Sequence, residues 1–237
     1  MLSATYEATF ERMLAEAAIA AAPDVPLVPF WPLRGAAYDG ELLVVGRSVN
    51  AWVEDWTAGQ LRDPAERAAA VSFMRRDAEP VDRDRMAWVS DLWGAKVGYS
   101  TRRSAFWRVL ARLVPGGPGD GWPGRLVWTN LYKVSPAAGW NPGADLQRAQ
   151  RSAAIELLRR ELDEYAPRRV LAMTGGWIQT FVAGLGLTME TRPGLVEGLG
   201  MRDGSAWVIA KHPMGKPEGR FVAEVSAAFA ELGRPLR

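Results

Sequence analysis

Apolar residues recur at intervals of three and four over residues 3–22, placing Tyr6, Phe10, Met13, Leu14 and Ala17 on one side of the chain. That period predicts a helix. Pro23, Pro26, Pro29 and Pro32 follow, and their missing N–H groups predict an extended lead-in without regular structure. Residues 41–48 (ELLVVGRS) form a short continuous apolar run, the pattern of a strand buried on both faces. Residues 49–99 hold helical pieces near 64–76 and 83–92, with loops between them. A helix is predicted over 100–113, with Phe106, Trp107, Leu110 and Leu113 on its apolar side, and a Gly/Pro loop over 115–124.

The second half is more regular. Residues 125–133 (RLVWTNLYK) predict a second strand. Ala144–Tyr165 carries the clearest helical stripe, formed by Leu146, Ala149, Ala153, Leu157, Leu158, Leu162 and Tyr165, and Pro167 ends it. A strand over 168–175, a short helix over 176–184, a strand over 205–213 (SAWVIAKHP) and a closing helix over 218–232 complete the reading. Strands alternating with helices, most of them apolar on both faces, argue for a parallel sheet covered on each side. The expected fold is therefore α/β, a three-layer αβα sandwich on a four-stranded, mostly parallel sheet. It is read as a single domain over 1–237, with a helix and Pro-rich lead-in over 1–40 and the core over 41–232.

Composition narrows the chemistry. The chain has 237 residues, 48% of them hydrophobic, enough for a full core. It contains no cysteine, which removes disulfides, thiolate metal sites and iron–sulfur clusters. One histidine and no cysteine leave no metal-ligand cluster in view, and no cofactor is expected. The first residues do not read as an export signal, because Glu7, Glu11, Arg12 and Glu16 interrupt them. No apolar run approaches the ~20 residues that span a bilayer. A cytoplasmic monomer without a membrane partner is the expectation. The net charge is +2, and arginine outnumbers lysine, which suits phosphate contacts and equally follows from GC-rich coding. Most of the eleven tryptophans should be packing residues, leaving a few to stack on a planar ligand.

In an open α/β sheet, ligands bind beyond the carboxyl ends of the strands. Those ends deliver Gly46 to Trp52, Thr129 to Lys133, Thr174 to Trp177, and Lys211 to Lys216. Asn50, Asn130 and His212 are expected to meet there. His212, the lone histidine, sits where an apolar strand enters a Pro/Gly loop, and reads either as structural or as catalytic. Asn130 lies in a strand, where asparagine is disfavoured. It reads as a hydrogen-bonding partner for a neighbouring loop or for the amide edge of a ligand. Arg102, Arg103, Arg108 and Arg112 load the helix after Tyr99. They form a solvated face, or Arg102 and Arg103 grip phosphates near the helix start, with Lys216 as a third candidate. The 116–124 loop lacks the Gly-Lys-Ser/Thr ending of a nucleotide-binding loop and reads as a connector.

In order and spacing these elements resemble the uracil-DNA glycosylase superfamily. Asn130-Leu131-Tyr132-Lys133-Val134-Ser135-Pro136, then Asn141-Pro142, the helix through Glu161-Leu162 to Pro167 and the strand to Gly175 look like the middle of its thermostable bacterial branch. Lys211-His212-Pro213-Met214-Gly215 looks like its second motif, and Gly46 matches the glycine that opens its first. The likeness covers roughly residues 41–232. It implies that Asn130 reads the base edge, that His212 supports the departing base, and that Asn50 or Asp55 stands near the water and sugar. It also implies an aromatic ring, Trp52 or Tyr132, under the flipped base, with Gly46 and Ser48 shaping the base pocket. The sequence departs from the pattern in three places. Arg47-Ser48-Val49 has neither the usual proline nor a carboxylate, leaving Asn50, Glu54 and Asp55 as the nearest substitutes; Met214 stands where serine is common; the cluster cysteines are absent. Gly46 to Trp52 instead looks like a divergent bacterial branch with Gly-Gln-x-x-Asn-Gly-Trp at this place.

The resemblance implies a DNA glycosylase-like hydrolase acting on a deaminated or damaged, uracil-type base in single- or double-stranded DNA. Two alternatives stand beside it. One is an inactive module of the same fold that binds nucleic acid or a nucleobase, favoured by the departed first motif. The other is a hydrolase for a small nucleoside-like substrate, favoured by the modest net charge.

Overall fold

The computed structural model describes residues 2–49, 54–78, 84–114, 116–119, 121–139 and 141–233. In chain order its elements are α1 (Ala4–Ala20), β1 (Pro26–Pro29), β2 (Leu33–Arg34), β3 (Leu42–Ser48), β4 (Trp56–Thr57), α2 (Ala58–Arg62), α3 (Pro64–Ala78), α4 (Ala87–Asp91), α5 (Ala105–Leu113), β5 (Leu126–Tyr132), β6 (Val134–Pro136), α6 (Ala144–Tyr165), β7 (Arg169–Ala172), α7 (Gln179–Leu185), β8 (Thr188–Thr191), β9 (Val196–Arg202), β10 (Ser205–Ala210) and α8 (Glu218–Glu231).

The strands form two sheets, which corrects the expected single four-stranded, mostly parallel sheet. One is a three-stranded antiparallel sheet in the order β4-β1-β6. The other is a seven-stranded mixed sheet in the order β2-β5-β3-β7-β10-β9-β8. The four predicted strands are its consecutive middle, β5-β3-β7-β10, and β7 runs parallel to both β3 and β10. Antiparallel strands extend it on both sides: β2 beside β5, and the β8–β9 hairpin beside β10.

The missed strands have local reasons. β1 lies inside the proline run, whose missing N–H groups predict irregular structure. Its prolines occupy the two ends, Pro26 and Pro29, so the missing N–H groups fall at the strand's limits, where the sheet loses least. β2 and β4 are two residues each, too short to show a period. β9 contains Gly198 and Gly200, which read as breakers in sequence. A Cβ on Gly200 would stand 2.6 Å from the Thr188 carbonyl oxygen, so glycine lets β8 approach.

The chain divides into two compact units, and the division falls inside β3 and β5. The first comprises residues 1–32, 46–79 and 129–164. Here α1 packs against α2 and α3, and Tyr6, Phe10 and Trp31 form a fully buried aromatic cluster with ring centroids 4.8 and 5.1 Å from Trp31. The N-terminal helix thus contributes to the buried core of the first unit. Its first turn is capped by Ser3, whose hydroxyl accepts from the Tyr6 N–H. Gln150 of α6 holds the bend from β5 to β6, its Oε1 accepting from the N–H groups of Lys133 and Val134 at 3.0 and 2.9 Å.

The second unit comprises residues 33–45, 80–128 and 165–237. Its parallel strands align Val45, Ala172 and Ile209 at one level. α8 packs on β9, β10 and α5 through Phe221, Val225 and Phe229. Tryptophan supplies much of this core: Trp107 meets Trp88 and Trp128 edge-on at 5.3 and 5.1 Å, and Trp122, Trp128 and Trp207 are also buried. Among the described residues, no helix is long and apolar enough to cross a membrane.

Candidate functional site

In the first unit Asn130 stands beside Gly46 of β3. β5 is buried along its whole length, so Asn130, only 1% exposed, carries its carboxamide into the interior. An amide there needs partners. Its Nδ2 has none among the described residues, while its Oδ1 lies 2.3 Å from where a Cβ on Gly46 would stand. Glycine at 46 is therefore what gives the carboxamide its place. Beyond it on β3, the Ser48 hydroxyl donates to Asn141 Oδ1 at 3.0 Å, joining the strand end to the Asn141-Pro142 segment.

Behind Asn130 lies a buried charge pair that the sequence reading did not isolate. Lys133 and Glu161 are both fully buried, with Nζ to Oε1 at 2.8 Å. The ammonium also donates to Thr129 Oγ1 at 2.5 Å and to the Asn130 carbonyl at 2.7 Å. Glu161 accepts from the Tyr6 hydroxyl at 2.6 Å and from the Thr129 hydroxyl at 2.7 Å. Burial pushes the Lys133 ammonium below the ordinary lysine value, against the opposing pull of Glu161. The network fixes the backbone on which Asn130 sits. The signal was present in sequence: Glu161 falls four residues after Leu157 and three after Leu158, on the apolar stripe of α6, where a lone carboxylate demands a buried cation.

Tyr132 is buried to the same extent as Asn130, at 1% exposure. Asp55 and Glu54 are exposed. Asn50 and Trp52 lie outside the described residues.

In the second unit, His212 follows β10 by two residues and is half-buried. Its ring lies at 25° to Phe106 of α5, with centroids 6.3 Å apart. Its Nδ1 accepts from the Met214 N–H at 3.3 Å, which assigns the hydrogen of the neutral ring to Nε2. Nε2 is then a donor. Met214 itself is exposed, as is Lys216, whose N–H closes the turn onto the Pro213 carbonyl at 3.0 Å.

The predicted helix over 100–113 is broken at Ser104. Arg102 and Arg103 stand on a separate 3-10 turn, Thr101–Arg103, ahead of α5. Both line an open cleft of about 570 Å³ together with Lys96, Ser100 and Arg108. Arg108 is held in place: it donates to Glu218 through Nε at 2.9 Å and to the Arg102 carbonyl through Nη1 at 2.7 Å. Lys216 is not among the cleft's lining residues.

Among the described residues, no group of three or more His, Asp and Glu side chains is arranged to hold a metal ion. No protein-family model matches the chain, and no curated protein matches it in sequence.

Proposed function

We propose that this chain is a DNA glycosylase-like hydrolase that cleaves the N-glycosidic bond of a deaminated or damaged base of the uracil type. The observation that carries the reading is Asn130: a buried carboxamide whose Nδ2 has no partner among the described residues, seated against a glycine whose Cβ would displace it. A buried donor left alone costs about 1–3 kcal/mol, and a ligand carbonyl would remove that cost. A uracil-type edge offers a carbonyl and an N–H side by side, matching both halves of the amide.

Hydrolysis adds water to the sugar's anomeric carbon. The electron pair of the C–N bond leaves with the base, and a water proton balances it. Positive charge builds on the sugar and negative charge on the base oxygens. The Nε2–H of His212 is the donor suited to the departing base, and Asn50 or Asp55 is the polar group suited to the sugar and water. Trp52 remains the candidate ring for the flipped base.

The test is a set of labelled oligonucleotides carrying uracil, hypoxanthine, xanthine or mismatched thymine, single- and double-stranded, with alkali to reveal abasic sites. Abasic product that drops by about 10²-fold or more in Asn130→Ala and His212→Ala is expected. Product unchanged in both variants would overturn the assignment. A second reading, an inactive module that binds nucleic acid or a nucleobase, is favoured by the exposure of Glu54 and Asp55 and the lack of a carboxylate in Arg47-Ser48-Val49. Binding with no abasic product from any substrate would decide for it.

A further inference from the structure

The cleft beside Arg102 gathers four cationic side chains. Its charged lining is entirely basic: Lys96, Arg102, Arg103 and Arg108, with no carboxylate among them. Glu218 immobilises Arg108 from outside the lining. Among the described residues, Lys96, Arg102 and Arg103 have no carboxylate partner. Uncompensated cations that converge on one concavity repel each other unless an anion joins them. The net charge of the whole chain is only +2, so this is a local concentration of charge, not a generally basic surface.

The chain segment that supplies Lys96 and Ser100 to the cleft differs from an ordinary solvated face. Large side chains are exposed along the segment that carries Lys96: Val97 at 89%, Tyr99 at 54% and Trp93 at 37%. Tyr99 is backed by Trp88, with ring centroids 6.4 Å apart, and Trp93 by Trp122 at 6.2 Å. Supported aromatic rings beside a cationic groove form the pattern that binds an unpaired strand, where phosphates meet the cations and bases stack on the rings. A duplex hides its base faces and would leave these rings unused.

We infer that the cleft of Lys96, Arg102, Arg103 and Arg108 binds the phosphates of single-stranded nucleic acid, with Tyr99 stacking on a base. This rests on the nucleic-acid reading above and deepens it by naming the strand form and the surface.

The experiment uses the full chain and a fluorescein-labelled oligothymidine twelve nucleotides long, which contains no damaged base. Anisotropy is followed across salt concentrations for wild type, Arg102→Ala/Arg103→Ala and Tyr99→Ala, with unfolding curves to confirm that each variant is folded. For wild type, log Kobs should fall linearly with log salt. The arginine pair should lower that slope by about 1.4, at about 0.7 per lost cation. Tyr99→Ala should weaken binding about tenfold with the slope unchanged. A duplex of the same length should bind more weakly than the single strand. Absence of binding, or an unchanged slope in the arginine variant, would overturn the inference. So would inorganic tripolyphosphate competing as well as the oligonucleotide while Tyr99→Ala binds normally, which would make the cleft a simple anion site. Abasic-site formation is scored separately, so binding without cleavage removes the hydrolase assignment and leaves this surface standing.

Discussion

At the scale of single residues, the fit between Gly46 and Asn130 sets the sharpest expectation. Gly46→Ala would drive a methyl group to 2.3 Å from Asn130 Oδ1, and the carboxamide must move. Any glycosylase activity or nucleobase binding should fall at least about tenfold, and melting curves should show a loss of about 1–3 kcal/mol. The buried pair behind it behaves differently. Lys133→Met leaves the Glu161 carboxylate buried without its cation, and urea unfolding should register a loss of about 3–5 kcal/mol. Adding Glu161→Gln removes the stranded charge while keeping an acceptor for Tyr6 and Thr129, and should restore more than half of the loss. If the double variant were as unstable as Lys133→Met alone, packing rather than charge would explain the cost. Neither residue announces its role by type. Lys133 reads as the polar end of a strand until the tertiary fold buries it, whereas Glu161 betrays itself by its place on an apolar stripe.

Elements add constraints that no residue carries alone. α5 and α8 are tied by Arg108 and Glu218, and the guanidinium holds the Glu218 carboxyl below the usual carboxylate range. A carboxylate depressed in the folded state contributes stability above its unfolded value of about 4.3, and that contribution is lost as pH falls through the folded value. Both side chains are about a third exposed (34% and 27%), so solvent screening limits the pair to about 1 kcal/mol. The stability gap between wild type and Glu218→Gln should be full at pH 7 and close as pH drops below about 4.3. A gap independent of pH would mean the pair contributes packing only. In the β8–β9 hairpin, Gly200→Val places its Cβ against the Thr188 carbonyl oxygen, and chemical denaturation should show a loss of about 1–3 kcal/mol. That glycine explains why the hairpin escapes a pattern reading: the property that lets two backbones approach is the one that lowers strand propensity.

For the molecule as a whole, the N-terminal helix tests how far the fold depends on distant segments. Tyr6, Phe10, Met13 and Leu14 are fully buried, and Tyr6 donates to Glu161, 155 positions away. Deleting residues 2–22 should therefore abolish the cooperative unfolding transition; a truncated chain that still unfolds cooperatively would show that the first unit stands without α1. The sequence by itself determined the elements with strong periods: α1, α6, α8 and the four strands β3, β5, β7 and β10, because apolar spacing directly reflects which faces meet the core. It also determined the absence of cysteine chemistry and the candidacy of Asn130 and His212 at strand ends. Tertiary structure alone decided the rest. Short strands such as β1, β2 and β4 exist only because a neighbouring strand supplies their hydrogen bonds, and glycine-bearing β9 exists only because β8 and β10 flank it. Likewise the Lys133–Glu161 pair and the four-cation cleft are made from side chains far apart in the chain or turned toward one another by a broken helix. Burial, pairing and local field depend on three-dimensional neighbours, and a linear pattern records only each residue's own preference.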